Sequence, residues 1–192
     1  ALKSEAMAAL PLSRSGRTAL EVALSVAEEA GQTLLSRLHG KKEVSYKGRA
    51  NLVSDVDKLV ERQVIEELRR EFPGDGFLAE ESEAVATTSG YTWIIDPLDG
   101  TRNYVLEIPH FCTVLALAKG DEVLLGLTYD PVRREMFQAI KGGGAFLNGS
   151  PMKVSVKTEL GDALLSYDLG YVDEEASRAI ELVLHLWPNI QG

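Results

Sequence analysis

Two aspartates three residues apart, Asp96 and Asp99, follow the apolar run Trp93-Ile94-Ile95 and lead directly into Gly100 and Thr101. A buried strand ending in this way delivers oxygen ligands to one place, and the turn beyond it can receive an oxyanion. Asp96 is expected to enter a site where the strand stops. Pro97 lacks an N–H donor and fixes φ, so an ordinary central strand cannot continue through it. Asp99 is expected to return to the same site one turn later. Gly100 lets backbone approach a ligand closely, and its N–H with that of Thr101 can face a phosphate at a helix start. A plain strand closing in an Asp-Pro-Gly turn would use the same residues, so their neighbours must decide.

Those neighbours lie upstream. Glu80-Glu81 directly follow the apolar Phe77-Leu78, and Ser54-Asp55-Val56-Asp57 opens a strongly periodic segment. Alone, the glutamate pair reads as a solvated turn and Asp57 as an acid answering a helix dipole. Their order is the informative feature: a helix-start aspartate, two glutamates at a strand end, then Asp96-Pro97-Leu98-Asp99-Gly100-Thr101.

The elements that would position these groups can be read from periodicity. Residues 1–15 are small and weakly patterned, a loosely packed lead-in. Between Gly16 and Leu38, the residues Leu20, Leu24, Ala27, Gly31, Leu34 and Leu38 recur at helical spacing, and His39-Gly40 ends the helix. Lys41 to Asn51 reads as a polar loop. Ser54 with Asp57 three residues on resembles a capping box, and Leu59, Val60, Val64, Leu68 and Phe72 continue that helix to Pro73-Gly74. Strands are predicted at Gly76–Ala79, Thr92–Asp96, Cys112–Lys119, Glu122–Asp130, Glu135–Ile140 and Ala145–Leu147, with a tight turn at Gly120-Asp121. Leu164–Leu169 is a further strand candidate, and Glu174–Trp187 a last helix behind the acidic Asp173-Glu174-Glu175. Two helices followed by antiparallel strands indicate an α+β fold. A boundary is expected near residues 150–160, dividing an N-terminal domain (1–155) from the start of a second (156–192).

Composition excludes several function classes. A net charge of −9 with no basic stripe argues against nucleic acid or an anionic membrane as partner. No apolar stretch approaches the roughly 18 residues of a membrane span, and no signal peptide is evident. The single Cys112 excludes an internal disulfide and suits a reducing compartment, so cytoplasm is the expected location. Its setting, Phe111-Cys112-Thr113-Val114-Leu115, reads as a buried small hydrophobe. Gly142-Gly143-Gly144 lacks a following Lys-Ser/Thr and reads as a strand connection, not a phosphate loop. His39, His110 and His185 have no spacing that suggests a metal site or a triad.

The ordered motifs resemble the inositol monophosphatase family of Mg²⁺-dependent, lithium-sensitive phosphatases. Matching segments are Lys47 ahead of Asn51-Leu52-Val53-Ser54-Asp55-Val56-Asp57, Ala79-Glu80-Glu81-Ser82, and Trp93 through Thr101. Asn103-Tyr104, Gly126-Leu127-Thr128-Tyr129-Asp130-Pro131 and Lys141 through Gly149 follow in the same order. The resemblance runs from about residue 17 to the end. Family members also carry a C-terminal Trp-Asp motif that supplies another metal-binding aspartate. No such motif occurs before Gly192, and Trp187 is followed by Pro188. The sequence is therefore expected to be part of a longer chain.

The resemblance implies layered α/β/α/β/α architecture and two or three Mg²⁺ ions per site. Glu80, Asp96 and the Leu98 carbonyl would hold the first ion; Asp96 would bridge to a second, shared with Asp99. It also implies that Thr101, backed by Asp57, orients and deprotonates the attacking water, with Glu80 as a further proton acceptor. Gly100 and Thr101 would bind phosphate beside Asp99, and Glu81 would support the ligands from behind. Lys47 reads as an exposed loop lysine with an outer-site role as the alternative, and Asp55 is expected to face elsewhere. The implied activity is hydrolysis of inositol monophosphate or a similar small polyol phosphate by a protein that is commonly a homodimer. Alternatives within the superfamily are phosphatases acting on 3′-phosphoadenosine 5′-phosphate, fructose 1,6-bisphosphate or histidinol phosphate. Asn103-Tyr104 favours the inositol branch. An alternative of another class is a non-catalytic metal-binding scaffold.

Overall fold

In a computed structural model of the chain, which describes residues 9–46, 52–167, 169 and 172–190, the first helix is preceded by an anchored turn. Leu10 is buried, Ser13 donates its N–H to the Arg17 carbonyl at 2.8 Å, and Arg14 donates to the Glu71 carbonyl at 2.9 Å. Over residues 9–15 this corrects the loose lead-in expected from composition, because backbone pairing and one buried leucine suffice to hold a segment with little pattern. Helix α1, Ala19–Arg37, starts later than the predicted Gly16. Thr18 caps it: its N–H donates to Glu21 Oε2 at 2.7 Å, and Glu21 donates back to Thr18 Oγ1 at 3.3 Å. Its buried stripe includes Val22, Ala23, Val26 and Ala30 as well as Leu20, Ala27, Gly31 and Leu34, wider than the spacing suggested; Leu24 is only partly buried. Gly31 is required by close packing, since a Cβ there would stand 2.5 Å from the Tyr129 ring.

Strand β1, Val44–Tyr46, pairs with β2, Leu52–Ser54, in a two-stranded sheet where the sequence reads as polar loop. Lys47 and Asn51, both part of the family motif, lie outside the described residues. Helix α2, Asp55–Glu71, begins at Ser54, whose Oγ accepts the Val56 N–H at 3.2 Å. Its buried residues combine Val56, Val60, Val64 and Leu68 with three acids, Asp57, Glu61 and Glu71.

A seven-stranded sheet follows in chain order: β3 (Gly76–Ala79), β4 (Tyr91–Asp99), β5 (Cys112–Lys119), β6 (Glu122–Asp130), β7 (Glu135–Ile140), β8 (Gly144–Leu147) and β9 (Ser150–Pro151). Short helix α3, Thr101–Val105, interrupts it after β4. The sheet is mixed, not wholly antiparallel: β3 and β4 run parallel, with Gly76 opposite Thr92 and Ala79 opposite Ile95. The segment 80–90 carries the chain back to restart β4 in the same direction, and that return is what separates Glu80 from Asp96 in sequence. Helices α1 and α2 cover one face, packing on Trp93, Ile95, Leu115, Leu117, Leu125 and Leu127. Burying each such side chain is worth about 1.5–3 kcal/mol.

A second compact unit begins at Lys153. It contains two 3₁₀ turns, Leu160–Asp162 and Trp187–Asn189, and helix α4, Asp173–Leu186, with three acids in its first turn. The strand predicted over Leu164–Leu169 is not formed at 164–167, where Leu164 is exposed; Asp168 lies outside the described residues. No helix among the described residues is long and apolar enough to cross a membrane.

Candidate active site

Strand β4 does not stop at Pro97, as its missing donor suggested, but passes it through a bulge. Asp96 faces Val114 and Asp99 faces Cys112, so three residues advance on β4 against two on β5. The odd count turns Asp99 to the side of Asp96 that a regular strand would deny it. Thr113, fully buried, donates its hydroxyl to the Pro97 carbonyl at 3.0 Å, and the Leu98 N–H donates to Asp96 Oδ1 at 3.1 Å. Thr113 was not among the candidates; a hydroxyl on an apolar strand opposite the proline is the signal for it.

Gly100 then reverses the chain at φ 90° as the residue before α3. A Cβ at this position would lie 2.9 Å from the His110 carbonyl, so both conformation and space demand glycine. Helix α3 is fastened to α1 by Tyr104, whose hydroxyl donates to the Leu34 carbonyl at 2.7 Å and whose ring meets Phe111 edge-on at 4.9 Å. Its first residue is thereby placed over α2. Thr101 Oγ1 lies 2.8 Å from Asp57 Oδ1 and 3.0 Å from the Leu98 carbonyl. Asp57 is 1 % exposed, and its other oxygen accepts the Ser54 N–H at 2.8 Å and the Ser54 hydroxyl at 2.5 Å. The capping residue thus serves the helix and the site at once. Asp55 turns away, accepting the Glu43 N–H at 2.9 Å.

The carboxyls of Glu80, Asp96 and Asp99 crowd one another. Burial, then the charges of Glu80 and Asp99, push the Asp96 carboxyl up to about 7. Glu81 sits one residue further on, its N–H donated to Glu61 Oε2 at 2.8 Å. Glu61 is 3 % exposed and escaped the reading of the sequence; an acid on the apolar face of α2, one turn beyond Asp57, is the clue it offered. Cys112 is not an isolated core residue. Its thiol stands 3.8 Å from Asp99 Oδ2, and burial with the neighbouring aspartates pushes it up to about 12. Two of the three histidines bond elsewhere: His39 pairs with Glu107 at 2.8 Å, and His185 with its own helix carbonyl at Glu181.

Among the described residues, no three His, Cys, Asp or Glu side chains close tightly enough to hold a metal ion by themselves. What they offer is an open set of hard oxygens with an unfavourable concentration of negative charge. Such a set fits Mg²⁺, which takes few protein carboxylates and fills its remaining positions with water and substrate oxygens. A dication would also offset the burial and the neighbouring negative charges that raise the Asp96 carboxyl.

Comparison with known proteins identifies the family of this chain. Residues 16–183 match the model of the inositol monophosphatase family. An inositol monophosphatase of Dictyostelium discoideum is 38% identical over 179 residues, covering 89% of this chain and 64% of the relative. The chain thus spans a little under two thirds of that protein's length. Among solved structures, the extragenic suppressor protein suhB of Bartonella henselae superposes with a TM-score of 0.86 at 32% identity, over 90% of this chain and 68% of that one. A dual specific IMPase/NADP phosphatase bound with D-inositol-1-phosphate gives a TM-score of 0.73 at 26% identity, over 88% and 63%. With the family model matched across most of its length and the fold shared with these structures, the chain belongs to the inositol monophosphatase family.

Proposed function

We propose that this chain carries the greater part of a Mg²⁺-dependent phosphomonoesterase site for inositol monophosphate or a similar small polyol phosphate. The observation that carries the reading is the bonded pair Thr101–Asp57 standing beside the crowded carboxyls of Asp96, Glu80 and Asp99.

Glu80, Asp96 and the Leu98 carbonyl would hold one ion, and Asp96 with Asp99 would contribute to a second; Glu81 would stand beside a third. When bound, Mg²⁺ neutralises the phosphate, aligns it with water for in-line attack and lowers the pKa of that water. The remaining work falls to the chain's own residues. Thr101 Oγ1 has one proton, and donating it to Asp57 leaves its lone pairs to accept a proton from the attacking water. Glu80 is a further acceptor on the same side. The N–H groups of Gly100 and Thr101 receive phosphate oxygens at the turn, with Asp99 beside them. Glu81 keeps the glutamate turn in place.

The structural likeness to a dual specific IMPase/NADP phosphatase makes nucleotide phosphates the second substrate class to test. Phosphate release from inositol 1-phosphate and from two nucleotide phosphates, 3′-phosphoadenosine 5′-phosphate and NADP, each with and without Mg²⁺, decides between them. Metal-dependent turnover of the first supports the polyol reading, and preference for either of the others moves the assignment to nucleotides. Absence of all three leaves the scaffold reading. We further propose a homodimer in a reducing cytoplasm, which sedimentation and thiol accessibility of Cys112 would check.

A further inference from the structure

In its first half, helix α2 sends two acids inward, four residues apart and on one face: Asp57 reaches Thr101, and Glu61 reaches the backbone of Glu81. A carboxyl on an apolar helix face is costly to bury, so its partner must compensate. We propose that Glu61 is a positioning residue that sets the direction of the Glu80 carboxyl toward Asp96, an inference that rests on the metal-site reading above.

The argument is geometric. Strand β3 loses its ladder partner at Ala79, opposite Ile95, so Glu80 lies just past the last paired residue. Glu61 Oε2 takes the next amide, that of Glu81, at 2.8 Å. The peptide joining Glu80 to Glu81 is planar, so holding its N–H also fixes its carbonyl and the ψ angle of Glu80. The Glu80 side chain leaves from that fixed Cα, and its charge bears on the Asp96 carboxyl. One rigid helix thereby registers two walls of the site: the α3 side through Asp57, and the glutamate turn through Glu61. Groups that orient ligands in this way typically cost about 10–100-fold in metal affinity when removed.

The test compares Glu61→Leu, which removes the acceptor, with Glu61→Gln, which keeps one. Val64→Ala serves as a buried apolar control on the same helix. Mn²⁺ uptake is measured by electron paramagnetic resonance without substrate, and exchange of the Glu81 amide by NMR. The expected result is at least about a tenfold weaker Mn²⁺ affinity and faster Glu81 exchange in the leucine variant. Glu61→Gln should recover most of both, and Val64→Ala should lose stability but keep wild-type affinity. Unchanged Glu81 protection in Glu61→Leu overturns the proposal, as does equal loss of affinity in the control. Should the leucine variant fail to fold, the glutamine variant decides: fast Glu81 exchange in it contradicts an acceptor role. Wild-type protein that takes up no Mn²⁺ and turns over no phosphate overturns the metal reading instead, and the amide exchange still judges Glu61.

Discussion

Thr101 Oγ1 stands 2.8 Å from Asp57 Oδ1 across 44 residues of sequence, joining the start of one helix to the start of another. Neither terminus needs the contact for its own cap, since Ser54 serves α2 and Gly100 precedes α3. The bond therefore has a different purpose, which the proposed proton path supplies.

Replacing Thr101 with alanine should lower kcat by about 10²–10⁴-fold while changing KM far less, the signature of a proton acceptor used in the transition state. Asp57→Asn should give a similar loss, and the double variant should be little worse than either. Steady-state kinetics on all three variants checks this. A change confined to KM would remove Thr101 from the chemistry.

Asp96→Asn should abolish turnover and still raise the melting temperature of the metal-free protein at pH 7. The folded carboxyl, pushed up to about 7 by burial and by Glu80 and Asp99, is costly to ionise there. Mg²⁺ should no longer raise the melting temperature in this variant. Calorimetry with and without the ion tests the pair of effects, and near-normal activity would refute the shared-ligand role.

Glu71 links the N-terminal turn to the end of α2, and the hydroxyls of Ser15 and Ser13, then Arg17, hold its carboxyl down at about 2. Its folded value lies below the ordinary 4.5, so the folded state binds fewer protons. The resulting stability is complete above about pH 4.5 and disappears as pH falls through 2. Ser15→Ala, which removes a 2.6 Å hydrogen bond, should lower stability at pH 7 and lose that deficit progressively on acidification. Denaturant titrations at several pH values measure it; a deficit unchanged down to pH 2 would show that the serine acts through something other than Glu71.

Gly100→Ala should destabilise by about 1–2 kcal/mol for its left-handed backbone alone, with more from the close His110 carbonyl. Turnover should fall further than stability, since the same turn carries the proposed phosphate donors. A variant with wild-type melting behaviour would mean that the turn can relax elsewhere.

Much of this molecule is determined locally. The capping box at Ser54 and Asp57, the glycine after Asp99, and strands β3, β5, β6 and β7 follow from periodicity and turn chemistry within a few residues. The order of the acidic motifs likewise marks the family. Other features depend on distant neighbours. Pro97 signals a break, but whether the strand ends or bulges depends on β5, where Thr113 satisfies the stranded carbonyl. The parallel pairing of β3 with β4 depends on how segment 80–90 returns, which no spacing in β3 encodes. Glu61 reads as an ordinary helix acid until the Glu81 amide is seen beside it, and Cys112 as core until Asp99 is. Periodicity reports which face of an element avoids water; it does not report which polar group on another element will meet a buried acid. The sequence by itself therefore determined the elements and the inventory of oxygens, while tertiary packing alone decided which oxygens converge, because long-range hydrogen bonds are chosen by the assembled sheet and helices and not by the segments that enter them.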